Sequence, residues 1–106
     1  MADITVRELS DRLKAGTAPL IIDVREPHET ALGYIPTAQL IPMGQLPLQL
    51  EELAGYKDKE VVLVCRSGGR SSAMASFMAS NGFRQVRNLV GGTLAWQAEI
   101  DPSLQV

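Results

Sequence analysis

One cysteine and one histidine among 106 residues are too few for much of what those side chains build. Cys65 has no partner for an internal disulfide, and with the distant His28 it cannot supply a zinc ligand set, so neither a metal nor a disulfide framework is expected. Long apolar runs are missing too: no segment approaches the ~20 residues of a membrane span. The first residues, Met1-Ala2-Asp3-Ile4-Thr5, lack the basic start and apolar stretch of a signal peptide. A cytoplasmic location and no membrane partner are therefore expected. Nor is there a positive excess: the formal net charge is −2, which argues against a general nucleic-acid surface. Positive charge is local, at Arg66, Arg70, Arg84 and Arg87. There is no room for a second copy of a domain, so residues 1–106 read as one domain, with 45% hydrophobic residues to build its core.

What the chain does have is a cysteine in a telling place. Cys65 follows the apolar run Val61-Val62-Leu63-Val64 and opens Cys65-Arg66-Ser67-Gly68-Gly69-Arg70-Ser71. The segment from Ser71 to Asn81 has helical character, which puts the cysteine on a strand-to-helix turn. Gly68 and Gly69 permit a tight turn whose backbone N–H groups face one point. Unpaired N–H groups and the dipole at a helix start favour negative charge, and Arg66 and Arg70 add to it. In such surroundings a thiol's pKa falls from about 8.5 toward roughly 3.5–7.5, and the thiolate is the nucleophile. A nucleotide phosphate loop would need Gly-Lys-Ser/Thr after its glycines, and Arg70-Ser71 stands there instead. An exposed reactive thiol of this kind suits a reducing compartment.

Strand-like and helix-like segments alternate along the chain. Thr5 and Glu8 have capping-box spacing, and Val6, Leu9 and Leu13 share one helical face up to Gly16. Leu20 to Val24 reads as a buried parallel strand, and Pro27 starts a short helix through Leu32. Gln39 to Ile41 is a brief strand closed by Pro42. Leu46 to Leu53 fits both periods, and Pro47 with two glutamates favours a helix. Glu60–Val64 is the strand before the cysteine. In the helix after it, Met74, Phe77 and Met78 form an apolar face, and Ser71, Ala75 and Ala79 a small-residue stripe against the sheet. Val86–Leu89 is the last strand, and Thr93–Ile100 the closing helix. Strands separated by helices imply parallel crossovers, hence a three-layer α/β domain with a mainly parallel sheet of four or five strands flanked by helices. Ligands bind such sheets beyond the carboxyl ends of the strands, where Cys65, Asp23 with Arg25, and Gly91-Gly92 all fall.

The run Cys65-Arg66-Ser67-Gly68-Gly69-Arg70-Ser71 resembles the active-site loop of rhodanese-like sulfurtransferases. Asp23-Val24-Arg25-Glu26, Gly33-Tyr34-Ile35-Pro36 with Ile41-Pro42, and Asn88-Leu89-Val90-Gly91-Gly92 followed by Trp96 match in the same order, so the resemblance covers nearly the whole chain. It implies a rhodanese-like domain, a Cys65 nucleophile that carries a persulfide, and no cofactor. Arg66 matches the basic loop position that grips an anionic donor. Ser67, Gly68, Gly69 and Ser71 complete the substrate-binding loop. Arg70 either binds substrate or turns back to Asp23 or Glu26 to brace the loop. Asp23 and Arg25 order the loops. Two departures stand out: the family often carries histidine where Tyr34 stands and glycine where Thr37 stands.

The implied partners are a small anionic sulfur donor such as thiosulfate and a cyanide or thiol acceptor. The loop lacks the Cys-Gly-Ser/Thr-Gly pattern of mercaptopyruvate users. Two rivals are kept. One is a carrier module that passes persulfide between relay proteins. The other is a phosphatase or arsenate reductase, whose loops place five residues between cysteine and arginine; only Arg66, Ser67, Gly68 and Gly69 stand between Cys65 and Arg70.

Overall fold

The computed structural model of the chain describes residues 2–106. Among them, five parallel strands form one sheet: β1 (Ala2–Ile4), β2 (Leu20–Asp23), β3 (Gln39–Leu40), β4 (Glu60–Val64) and β5 (Gln85–Leu89), in the spatial order β1-β5-β4-β2-β3. The helices are α1 (Val6–Lys14), α2 (Pro27–Thr30), α3 (Gly69–Ser80) and α4 (Gly92–Glu99). The three-layer expectation holds, and the sheet has five strands.

The central strands are buried on both sides because their sequences are apolar at consecutive positions. On one face Val61, Leu63 and Val86 pack with Ala75 and Met78 of α3 and with Leu46 and Leu53. On the other, Val62, Val64 and Leu89 pack with Val6 and Leu9 of α1 and Trp96 of α4. The α1 start is the capping box read from Thr5 and Glu8: the Glu8 amide donates to Thr5 Oγ1 at 3.1 Å, and the Thr5 amide to Glu8 Oε1 at 3.4 Å.

Two expectations are corrected, and one strand is added. Leu46 to Leu53 is not one α-helix: Leu46–Gln49 and Ala54–Tyr56 are short 3₁₀ turns. Pro47 supplies no N–H, and the two turns close through i→i−3 bonds, Leu48 N–H to the Gln45 carbonyl at 3.0 Å and Tyr56 N–H to the Leu53 carbonyl at 2.8 Å. Leu46 and Leu53 are buried all the same, while Leu48 is 83% exposed. Ala79 of the supposed small-residue stripe is also exposed; only Ser71 and Ala75 are buried against the sheet. Finally, β1 has no counterpart in the sequence reading. It is a three-residue edge strand that pairs Asp3 with Asn88 and Ile4 with Leu89.

Candidate active site

Cys65 directly follows β4, and α3 begins at Gly69, two residues before its expected start. The turn between them is therefore short, and Arg70 and Ser71 lie in the helix's first turn. Gly68 caps the helix with φ +104°, a left-handed conformation that a side chain disfavours. This bend brings the Gly68 N–H to 3.0 Å from Cys65 Sγ, and Ser71 Oγ lies 3.3 Å from the same sulfur. Burial pushes the thiol's pKa up. The Ser71 hydroxyl and the amides of Ser71, Gly68 and Ser67 outweigh it, and the net shift is downward. A cysteine so placed is held toward its nucleophilic form.

The expectation of an exposed thiol is corrected: Cys65 is 1% exposed. It is part of the buried apolar cluster that holds Ile22, Val24, Ile41, Leu63 and Ala75, and the start of α4 holds its backbone. Thr93 N–H donates to the Cys65 carbonyl at 2.9 Å, and Leu94 N–H to that of Arg66 at 3.0 Å. Gly92, at φ +58°, lies so close that a Cβ there would overlap the Cys65 carbonyl oxygen and stand 2.6 Å from Arg66 C and O. The Gly91-Gly92 turn thus supports the loop from below, as the convergence of strand ends anticipated.

The other loop residues divide by environment. Arg66 and Ser67 are exposed at the mouth, and no ion pair among the described residues involves Arg66. Arg70 reaches neither Asp23 nor Glu26. Its guanidinium meets the Glu29 carboxylate, Nη1–Oε1 at 2.7 Å and Nη2–Oε2 at 2.8 Å. That bond is the main reason the Glu29 carboxyl is lowered to about 2. Asp23 and Arg25 form a fully buried pair: Asp23 accepts from the Arg25 backbone N–H at 3.0 Å and from Nη2 at 2.8 Å, and Nη2 also donates to the Gly33 carbonyl at 2.7 Å. They tie the end of β2 to the loop after α2 and lie out of contact with solvent. His28 is exposed, and among the described residues no group of three His, Cys, Asp or Glu side chains could hold a metal ion.

Two site residues escaped the reading of roles. Glu29 occupies the third position of α2, where its Oε1 also accepts the Glu26 N–H at 3.0 Å. Its spacing of three residues from Glu26, before a Pro-initiated helix, was the available signal. Asn88 lies on β5 with Oδ1 at 2.5 Å from Ser71 Oγ; in the sequence it stood only as part of a motif.

The sequence and the fold are both similar to those of known proteins. The sequence model of the rhodanese-like domain matches residues 5–99. The chain is 41% identical over 100 residues to YtwF of Bacillus subtilis, covering 94% of each. It is 39% identical over 94 residues to a sulfurtransferase of Allochromatium vinosum, covering 89% of this chain and 86% of that one. The crystal structure of a rhodanese-like domain protein from Staphylococcus aureus shares the fold with a TM-score of 0.80 at 38% identity, covering 91% of both chains.

Proposed function

The chain belongs to the rhodanese-like domain family, and from that membership we propose that it is a sulfurtransferase that moves a sulfane sulfur through a persulfide on Cys65. The observation that carries the reading is the donor cradle at the sulfur: the Gly68 N–H at 3.0 Å and the Ser71 hydroxyl at 3.3 Å, at the start of α3. Such donors favour a thiolate and then the negative outer sulfur of a persulfide.

With thiosulfate as donor, the Cys65 thiolate attacks the sulfane sulfur. A new S–S bond forms as the old one breaks, and sulfite departs with the electron pair. The persulfide keeps the negative charge. Cyanide or a thiolate acceptor then attacks the outer sulfur, leaving as thiocyanate or a new persulfide and returning the Cys65 thiolate. Arg66, exposed and next to Cys65 in the chain, meets the anionic end of the donor. Because Cys65 is 1% exposed, donor and acceptor approach the sulfur in a narrow direction.

Arg70 favours sulfur over phosphate as the group transferred. A loop arginine that grips a tetrahedral oxyanion needs a free guanidinium fork, and this one is occupied on both nitrogens by Glu29. Steady-state kinetics test the proposal: double-reciprocal plots with thiosulfate and cyanide varied together are expected to be parallel, the mark of a covalent intermediate. Intersecting lines would contradict it.

A further inference from the structure

On the reading of Cys65 as the nucleophile, we propose that Asn88 is a positioning residue that acts on the sulfur through Ser71. Its amide turns over, so that the hydroxyl proton of Ser71 points to Asn88 when Cys65 is a thiol and to the sulfur when Cys65 is a thiolate or persulfide. Three acceptors surround that proton: Cys65 Sγ and the Gly68 carbonyl oxygen, each at 3.3 Å, and Asn88 Oδ1 at 2.5 Å. A hydroxyl carries one proton and serves one of them fully.

Two oxygens 2.5 Å apart need a proton between them. With the amide oxygen toward Ser71, the hydroxyl proton is held there, and Ser71 turns a lone pair to the sulfur. That suits an S–H, which donates. It does not suit a thiolate, which only accepts. When the thiol gives its proton to solvent, a half-turn of the Asn88 amide puts NH₂ where the oxygen was. The NH₂ donates to Ser71 Oγ, and the Ser71 proton swings to the sulfur. Ser71 and Asn88 keep all their protons, and the only bond broken is the S–H. A carboxamide fits both states because it carries donor and acceptor on one nearly symmetric group.

The placement supports this role. Asn88 pairs in register with Leu63, two residues before Cys65 on the neighbouring strand. It is 8% exposed and Ser71 is wholly buried, so neither can turn to bulk water for a substitute partner. Asn88 Nδ2 lies 3.7 Å from where a Cβ on Gly68 would stand, so the amide lines the floor of the loop. The Gly68 N–H is fixed by the backbone. The Ser71–Asn88 pair is the adjustable part of the cradle.

The charged groups around the sulfur do not substitute for it. Arg66 is exposed on the loop, Arg70 of α3 is bound to Glu29 of α2, and Asp23 and Arg25 pair with each other at the end of β2. The first turn of α4 carries no charge, and Arg87 of β5 is engaged by Glu60.

Alkylation of Cys65 by iodoacetamide as a function of pH tests the proposal without any sulfur donor. A carboxylate at position 88 accepts and cannot donate, so Asn88→Asp is expected to retain the Ser71 proton and raise the alkylation midpoint by about one pH unit. In a Ser71→Ala background the same replacement is expected to raise it clearly less. An equal rise in both backgrounds would reduce the effect to charge repulsion and overturn the proposal, as would an unchanged midpoint. Should Asn88→Asp not fold, NMR on the unmodified protein decides. Exchange of the Asn88 NH₂ protons, relative to the exposed Gln45 amide, is expected to slow as pH rises through the alkylation midpoint; no change there overturns the proposal. Failure of the sulfurtransferase reading would appear elsewhere, as wild-type protein that takes up no sulfur while alkylating normally.

Discussion

Arg70 and Glu29 meet fork to fork, with Nη1–Oε1 at 2.7 Å and Nη2–Oε2 at 2.8 Å, and so join the first turn of α3 to α2. The carboxylate is mostly shielded and the guanidinium about one-third exposed, so the pair is worth less than its geometry suggests. Its structural effect is still specific. It holds the active loop from the side opposite the Gly91-Gly92 turn.

The pair predicts an acid dependence. Folding lowers the Glu29 carboxyl from 4.5 to about 2, so the stability it contributes is fully present above pH 4.5 and drains as pH falls toward 2. Glu29→Gln is expected to cost about 1 kcal/mol at neutral pH and to flatten that part of the acid limb. Urea unfolding at several pH values measures both. An equally steep acid limb in the variant would contradict the assignment.

Thr37 is a non-glycine residue at φ +70°. A β-branched residue pays roughly 1–2 kcal/mol there, while glycine brings back about 0.5–1 kcal/mol of chain entropy. Thr37→Gly is therefore expected to stabilise the fold by about 0.5–1 kcal/mol and raise the melting temperature by about 2–6 °C. Calorimetry reads the shift, and a fall in melting temperature would show that the Thr37 side chain earns its strained backbone through contacts.

Gly92→Ala tests the support beneath the loop. A methyl group there collides with backbone rather than with a flexible side-chain end, at a positive φ. A loss of about 2–4 kcal/mol is expected, with Cys65 alkylating at a higher pH because the loop amides are displaced. A variant with wild-type stability and alkylation profile would contradict the packing described.

Arg66→Ala should raise KM for thiosulfate more than for an uncharged persulfide donor, since only thiosulfate presents a doubly charged end to the guanidinium. About tenfold is expected for thiosulfate, the effect of one charge-assisted contact of roughly 1.4 kcal/mol. Equal effects on both donors would mean that Arg66 shapes the loop instead.

Local signals carried much of this fold. Leu20–Asp23 and Glu60–Val64 are legible as strands because both of their faces are buried, and Thr5 with Glu8 because a capping box is contained in four residues. The cysteine loop was legible for the same reason. What was hidden depends on distance. The burial of Cys65 comes with its place in the cluster of Ile41, Leu46 and Ala75, the bracing of Arg70 from Glu29, and the partner of Ser71 from Asn88, each brought in by another element. The edge strand Ala2–Ile4 is too short for a period, and the turns at Leu46–Gln49 and Ala54–Tyr56 share helical burial without helical bonding.

The central claim is a persulfide on Cys65, and intact-mass measurement after thiosulfate treatment tests it most directly. The wild-type chain is predicted to gain the mass of one sulfur atom, lose it on addition of cyanide, and gain nothing in Cys65→Ser, whose alcohol is nearly isosteric and far less nucleophilic. The same gain in folded Cys65→Ser, or none in the wild type with any sulfane donor, would contradict the account.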